Sequence, residues 1–139
     1  MKTEWDYTSL AKAYLKRPNY SDEATGKMLD IAKVSKGDRA CDIGAGVAHL
    51  TLALANYGLS VTAIEPNDAM RDLGIKRTKD LHDVSWHTGT GENTQQETGS
   101  FDIATFGSSF NVMDQQGALK ETHRILKPKG WFAAMWNHR

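Results

Sequence analysis

The sequence predicts an α/β domain, a three-layer αβα sandwich around a mostly parallel sheet of about five strands. Three observations lead there. From Arg39 onward, short apolar runs alternate with helix-length segments, the pattern of βαβ units whose strands are buried on both faces. The first run, Arg39–Ile43, ends in a glycine turn, Gly44-Ala45-Gly46, that opens a helix. The second, Ser60–Ile64, ends in an acidic residue, Glu65.

Taken in order, Tyr7, Leu10, Ala11, Tyr14 and Leu15 carry helical spacing, and Arg17-Pro18 interrupts it. Ser21 caps a second helix toward Val34, with Met28, Leu29, Ile31 and Ala32 as its apolar face, and Lys36-Gly37-Asp38 closes this N-terminal cap, residues 1–35. The core, residues 36–139, has expected strands at Arg39–Ile43, Ser60–Ile64, Val84–Thr88, Phe101–Phe106 and Trp131–Trp136. Helices are expected at Ala48–Tyr57, closed by Gly58, at Asp68–Lys79, and at Gln115–Leu126, closed by Lys127-Pro128-Lys129-Gly130. Gly89–Ser100 is the longest connection without a helix pattern, and long connections in compact domains are often functional.

The 139 residues fit one domain, and 40% hydrophobic with 24% charged residues is a globular balance rather than a disordered one. Seventeen basic residues match 17 acidic ones, so no net field draws the molecule to nucleic acid or anionic lipid. The single cysteine, Cys41, excludes an intramolecular disulfide and reads as a small core residue. No apolar stretch has the length of a membrane span or the form of a signal peptide, so a cytoplasmic setting is expected. Histidines and cysteine lack close ligand spacing, and no metal is expected.

The chemistry is read from the turn and the acid after it. Glycines let backbone turn tightly and approach a ligand, and a tight strand-to-helix connection alone would also use them. Glu65 adds a second condition, because an acid about twenty residues beyond such a turn can accept hydrogen bonds from both ribose hydroxyls in a Rossmann-like fold. A pyrophosphate would favour a further glycine where His49 stands, and Asp42, just before the turn, would repel it. The same carboxylate suits the ammonium group of an amino-acid tail, reached directly or through water. A nucleoside carrying such a tail, S-adenosylmethionine, therefore fits better than a dinucleotide.

Five ordered segments carry a resemblance. Asp42-Ile-Gly44-Ala-Gly46-Val-Ala48, Val61-Thr-Ala-Ile-Glu65-Pro-Asn-Asp-Ala-Met70, Gly89-Thr-Gly-Glu92, Phe101-Asp102 and Leu119-Lys-Glu121-Thr-His-Arg124-Ile-Leu126-Lys-Pro128-Lys-Gly130 together resemble the small-molecule class I methyltransferases of the UbiE-like group. Tyr14-Leu-Lys-Arg17-Pro18-Asn-Tyr20 is similar to that family's entry segment, and Ala48 stands where the family often has a third glycine.

The resemblance implies that Asp42, Gly44, Ala45 and Gly46 line the methionine part of S-adenosylmethionine, that Glu65 holds the ribose, and that Asn67 and Met70 flank the adenine. Thr90, Gly91 and Glu92 would read the adenine edge, with Thr90 replacing a frequent aspartate. Gly107 and Ser108, following the fourth strand, would face the same cleft, and Tyr14 and Arg17 would close over it and pair the carboxylate. The expected activity is methyl transfer to a small-molecule acceptor by in-line displacement, where alignment supplies much of the acceleration. If a base is needed, His138 after the fifth strand is the candidate, ahead of His49, His82, His87 and His123. Trp86, Trp131 and Trp136 read as core or cleft walls, and Trp5 and Phe110 as possible acceptor contacts. The family's sheet has seven strands, so this one is expected to be truncated, with 131–136 at an edge that could join a homodimer. The alternative is a non-catalytic or truncated S-adenosylmethionine-binding module that dimerises through this strand; a nicotinamide-dependent oxidoreductase is a third reading.

Overall fold

The computed structural model describes residues 21–107 and 114–135. Its elements are α1 (Asp22–Ala32), β1 (Arg39–Ile43), α2 (His49–Asn56), β2 (Ser60–Ile64), α3 (Asp68–Thr78), β3 (Val84–His87), β4 (Phe101–Gly107), α4 (Gln115–Ile125) and β5 (Leu126–Met135). The expected helix over 7–15 lies outside the described residues, as do Tyr14, Arg17, Ser108, Phe110, Trp136 and His138.

The five strands form one sheet in the order β3-β2-β1-β4-β5, and every pairing is parallel. Its centre reads as near-continuous apolar sequence because both faces are covered. On one face, Leu29 and Ala32 of α1 and Leu50, Ala53 and Leu54 of α2 pack with Ala40, Val61 and Ile103. On the other, Ala118 and Ile125 of α4 pack with Cys41, Ile43, Phe101, Ala104 and Phe106. These helix-sheet-helix layers are the expected sandwich.

Helix starts follow their capping chemistry. Ser21 Oγ accepts from the Ala24 amide at 3.0 Å and Asn67 Oδ1 from the Met70 amide at 2.8 Å, each satisfying an orphan donor of a first turn. α2 begins differently. Ala48 precedes it with φ 83° and no side-chain cap, so Ala48 is the junction rather than the first helical residue.

Four sequence expectations need correction. Ile31 is 66% exposed, because the inner face of α1 is set by Thr25, Leu29 and Ala32 at helical spacing, and Ile31 falls outside that stripe. β5 starts at Leu126, not Trp131: Leu126 pairs with Phe101, Trp131 with Ile103, and the residues between are an irregularity in the register that accommodates Pro128. Trp131 is 42% exposed, which removes the core half of its core-or-cleft reading. Gly107 is the last residue of β4 rather than a loop residue.

Candidate functional site

In a parallel sheet the connections leaving the carboxyl ends of the strands gather on one side, and ligands bind there. The register brings the ends into line, with Ile43 beside Ile64, Ile64 beside His87 and Asp42 beside Thr105. Asp42, Gly44, Ala45 and Gly46 at the end of β1, Glu65, Asn67 and Met70 after β2, Thr90–Glu92 after β3 and Gly107 at the end of β4 therefore share one edge of the molecule.

The glycine turn is fastened to β2. The amides of Gly44 and Ala45 both donate to the Ile64 carbonyl, at 2.8 and 3.0 Å. Gly44 and Gly46 hold φ 69° and 60°, left-handed values that glycine adopts without cost. A Cβ built on Gly46 would meet nothing within 4 Å, so the turn borders open space. Arg77 of α3 supports the turn from behind, its Nη1 donating to the Val47 carbonyl at 2.7 Å and lying 3.3 Å from His49 Nδ1. His49 is thereby drawn toward α3.

Glu65 is the polar centre of this edge. Only 6% exposed, it accepts from the Gly46 amide at 2.7 Å and from the Asn67 amide at 2.9 Å, one oxygen to each. Its own amide donates to the His87 carbonyl at 3.1 Å, and Arg71 Nη1 donates to its carbonyl at 2.8 Å. Burial raises its pKa, while the two amides and Arg71 pull it down. One carboxylate thus links the turn after β1 to the start of α3.

Asp42 is not an open carboxylate. It is fully buried, with Oδ2 accepting from Thr51 Oγ1 at 2.7 Å and Oδ1 from Thr105 Oγ1 at 3.0 Å. Burial pushes its pKa up to about 6, and the two hydroxyls work against that rise. In this arrangement the carboxylate lies beneath the turn, and its influence on a cationic group above is through the field or through a rearranged threonine.

Beyond β3, Thr90 and Asn93 close a tight turn. Thr90 N donates to the Asn93 carbonyl at 3.0 Å, Asn93 N returns to the Thr90 carbonyl at 3.2 Å, and Thr90 Oγ1 accepts from Asn93 N at 3.1 Å. The hydroxyl does for this turn what a short carboxylate would do. Glu92 is exposed at its tip and Gly91 is buried beneath.

Sequence reasoning missed Thr51, Thr105, Arg71 and Arg77. Thr51 had a signal, a polar residue on the buried stripe of α2. Thr105 had none, because nothing local encodes the register that sets it beside Asp42. His82, His87 and His123 are exposed, and among the described residues no cluster could hold a metal ion. No helix among them is long and apolar enough to cross a membrane.

Comparison with known proteins adds three findings. Residues 41–134 match the family model described as a methyltransferase domain, more than half of the chain. A demethylmenaquinone methyltransferase of Staphylococcus epidermidis is 35% identical over 107 residues, covering 74% of this chain and 44% of the relative. Among solved structures, the YcgJ protein of Bacillus subtilis matches at 28% identity with a TM-score of 0.71, covering 81% of this chain and 49% of that one. A structure from Methanococcus maripaludis, described as a putative S-adenosylmethionine-dependent methyltransferase, shares the fold at TM-score 0.80 and 19% identity over 96% of this chain and 67% of its own. The chain spans about half the length of the curated relatives it matches.

Proposed function

The chain belongs to the class I S-adenosylmethionine-dependent methyltransferase family, and from that premise we propose that it binds S-adenosylmethionine at the glycine turn and transfers its methyl group to a small-molecule acceptor. The observation that carries the binding site is Glu65: a buried carboxylate between two backbone amides at the edge of the open space beside Gly46. A ribose offers paired hydroxyl donors, and a carboxylate that accepts one amide on each oxygen keeps a further lone pair on each to take them up. Gly44, Ala45 and Gly46 line the methionine part, Asn67 and Met70 flank the adenine, and Thr90, Gly91 and Glu92 read its edge. Gly107 faces the cleft, as do Tyr14, Arg17 and Ser108 in this reading, with His138 as candidate base; these last four lie outside the described residues. Residues 1–35 form the cap and 36–139 the core of one domain, in a cytoplasmic protein.

When bound, the cofactor supplies a sulfonium methyl, whose transfer forms a bond to the acceptor atom and breaks the carbon–sulfur bond. The chain's own contribution is alignment and exclusion of water. Calorimetry with S-adenosylmethionine, S-adenosylhomocysteine and NAD tests the site: binding of the first two and not the third is expected, and NAD binding alone would overturn it. Labelled-methyl transfer to a panel of small-molecule acceptors tests catalysis, and cofactor binding without transfer to any of them would favour the non-catalytic module.

Asp42 makes binding and stability respond to pH in opposite directions. Its ionised form attracts the ammonium of the methionine moiety, so affinity for S-adenosylmethionine should rise as pH passes upward through about 6. Methylthioadenosine, which has no amino-acid tail, should bind equally across that range. For stability, the folded state holds the Asp42 proton more tightly than the unfolded chain does. That contribution is complete below pH about 4 and lost as pH rises through about 6, a swing of about 3 kcal/mol. Denaturant titrations of Asp42→Asn should lack this fall; the same fall in the variant would assign it to another group.

The β5 edge supports a homodimer. Among the described residues β5 pairs on one side only, with β4, while Trp131 and Phe132 are 42% and 36% exposed. Residues 131–136 carry no charge or proline to discourage pairing. Light scattering over a concentration series should show a dimer, and Ala134→Pro should weaken it. A monomer throughout, or a dimer indifferent to that substitution in a folded variant, would overturn the proposal.

A further inference from the structure

The connection from β3 to β4 has no helix or strand of its own over residues 89–100, yet it is laid along α4 residue by residue. Gly117, Glu121 and Arg124 recur at spacings of four and three, so they share one face of that helix. Glu92 passes over Gly117, where an added Cβ would come within 2.7 Å of Glu92 Cγ. Thr94, fully buried, gives its amide at 2.9 Å and its hydroxyl at 2.7 Å to the same Glu121 oxygen. Arg124 donates to the Gln96 carbonyl at 2.7 Å and to Thr98 Oγ1 at 3.0 Å. The amides of Gly99 and Ser100 then donate to the carbonyls of Arg124 and Ile125, at 2.9 and 2.7 Å.

Glu121 and Arg124 are themselves joined by two hydrogen bonds, Nε to Oε1 at 2.8 Å and Nη2 to Oε2 at 2.7 Å. This is the planar two-point pairing that fixes orientation as well as distance. Arg124 holds the Glu121 carboxyl down to about 2, so the anchor stays ionised through the neutral range. Its attachment point, Thr94, directly follows the Thr90–Asn93 turn.

We propose that the Glu121–Arg124 pair is a positioning device for the turn that reads the adenine, setting base selectivity from side chains that touch no cofactor. This rests on the cofactor site proposed above. The internal bonds shape the turn and Gly89 seats its start against Ile64, while Glu121 ties its far end to the rigid helix through two hydrogen bonds to Thr94. Loosening the anchor should leave the ribose and methionine contacts in place and blur recognition at the base.

The test compares S-adenosylhomocysteine with S-inosylhomocysteine, which differ only along the base edge, where the exocyclic amino donor of adenine becomes an oxo acceptor and N1 changes from acceptor to N–H donor. Wild type should prefer the adenine compound by at least about tenfold, as sites built around a polar group do when it is lost. In Glu121→Gln and in Arg124→Lys, each checked for a cooperative melt, affinity for S-adenosylhomocysteine should fall about tenfold, and the preference should shrink to about threefold or less. Arg124→Lys keeps the charge and lies on the outer side, so it serves if Glu121→Gln fails to fold. A general structural loss weakens both compounds alike, so an unchanged preference in a folded variant would overturn the positioning role. Equal binding of both compounds by wild type would overturn the adenine-reading turn itself, and binding of neither would overturn the cofactor site.

Discussion

Gly44→Val should abolish detectable S-adenosylmethionine binding while the protein still folds. Gly44 holds φ 69° and donates its amide to Ile64 at 2.8 Å, so the residue is fixed in a left-handed conformation at the point where β1 hands the chain to α2. A β-branched residue there has two outcomes. Either valine keeps the left-handed backbone, at a conformational cost of about 1–2 kcal/mol, and adds its bulk to the turn that the methionine moiety approaches, or the turn relaxes and withdraws its amide. Both destroy the surface that the methionine moiety needs, a loss of more than about a hundredfold in affinity. The stability cost should remain below the roughly 2–5 kcal/mol expected for Leu54→Ala, which empties a fully buried core position. Calorimetry alongside urea unfolding measures both quantities, and a folded variant that still binds would overturn the role given to Gly44.

Glu65→Ala should weaken the cofactor by roughly ten- to a hundredfold, the worth of a charged hydrogen bond of about 1.5–3 kcal/mol. The structure adds a second effect. Because the carboxylate also accepts from the Gly46 and Asn67 amides, its removal uncouples the glycine turn from the start of α3, and stability should fall too. A 2′-deoxyribose analogue of S-adenosylhomocysteine separates the two. Wild type should bind it more weakly than the parent, whereas Glu65→Ala should bind both alike, since the hydroxyl then has no partner to lose. Unchanged affinity of the variant for the parent compound would reject the assignment.

What could be read from the sequence follows the reach of each signal. The starts of β1, β2 and β4 were legible because strands buried on both faces are largely apolar, as in Ser60–Ile64 and Phe101–Phe106, and that of the edge strand β3 because Val84-Ser-Trp86-His alternates with period two. β5 was not, because its irregular start around Pro128 separates Leu126 from the apolar run, and Leu126 also continues the spacing of α4. Ile31 adjoins Ala32 in sequence but not on the helix, so composition misled where angle decides. In the site, the glycine turn and Glu65 were legible because about twenty residues of βαβ unit connect them. The partners of Asp42 were not: Thr105 lies 63 residues away, and only the order of strands in the sheet brings it alongside.

Ala48 gives the turn a property that its hydrogen bonds do not. Its φ of 83° costs alanine about 1–2 kcal/mol relative to glycine in the folded state. The same methyl group restricts the unfolded chain, which returns about 0.4–1 kcal/mol in entropy. The two effects offset by about half, so substitution by glycine should raise total stability by no more than about 1 kcal/mol. They do not offset in the breadth of the backbone distribution. Alanine has one narrow left-handed well where glycine roams, and Ala48 is completely buried, so the entrance to α2 is stiffened before any ligand arrives. A binding loop that has already surrendered its freedom loses less on association, and Ala48 places that preorganisation at the hinge between the glycine turn and its helix.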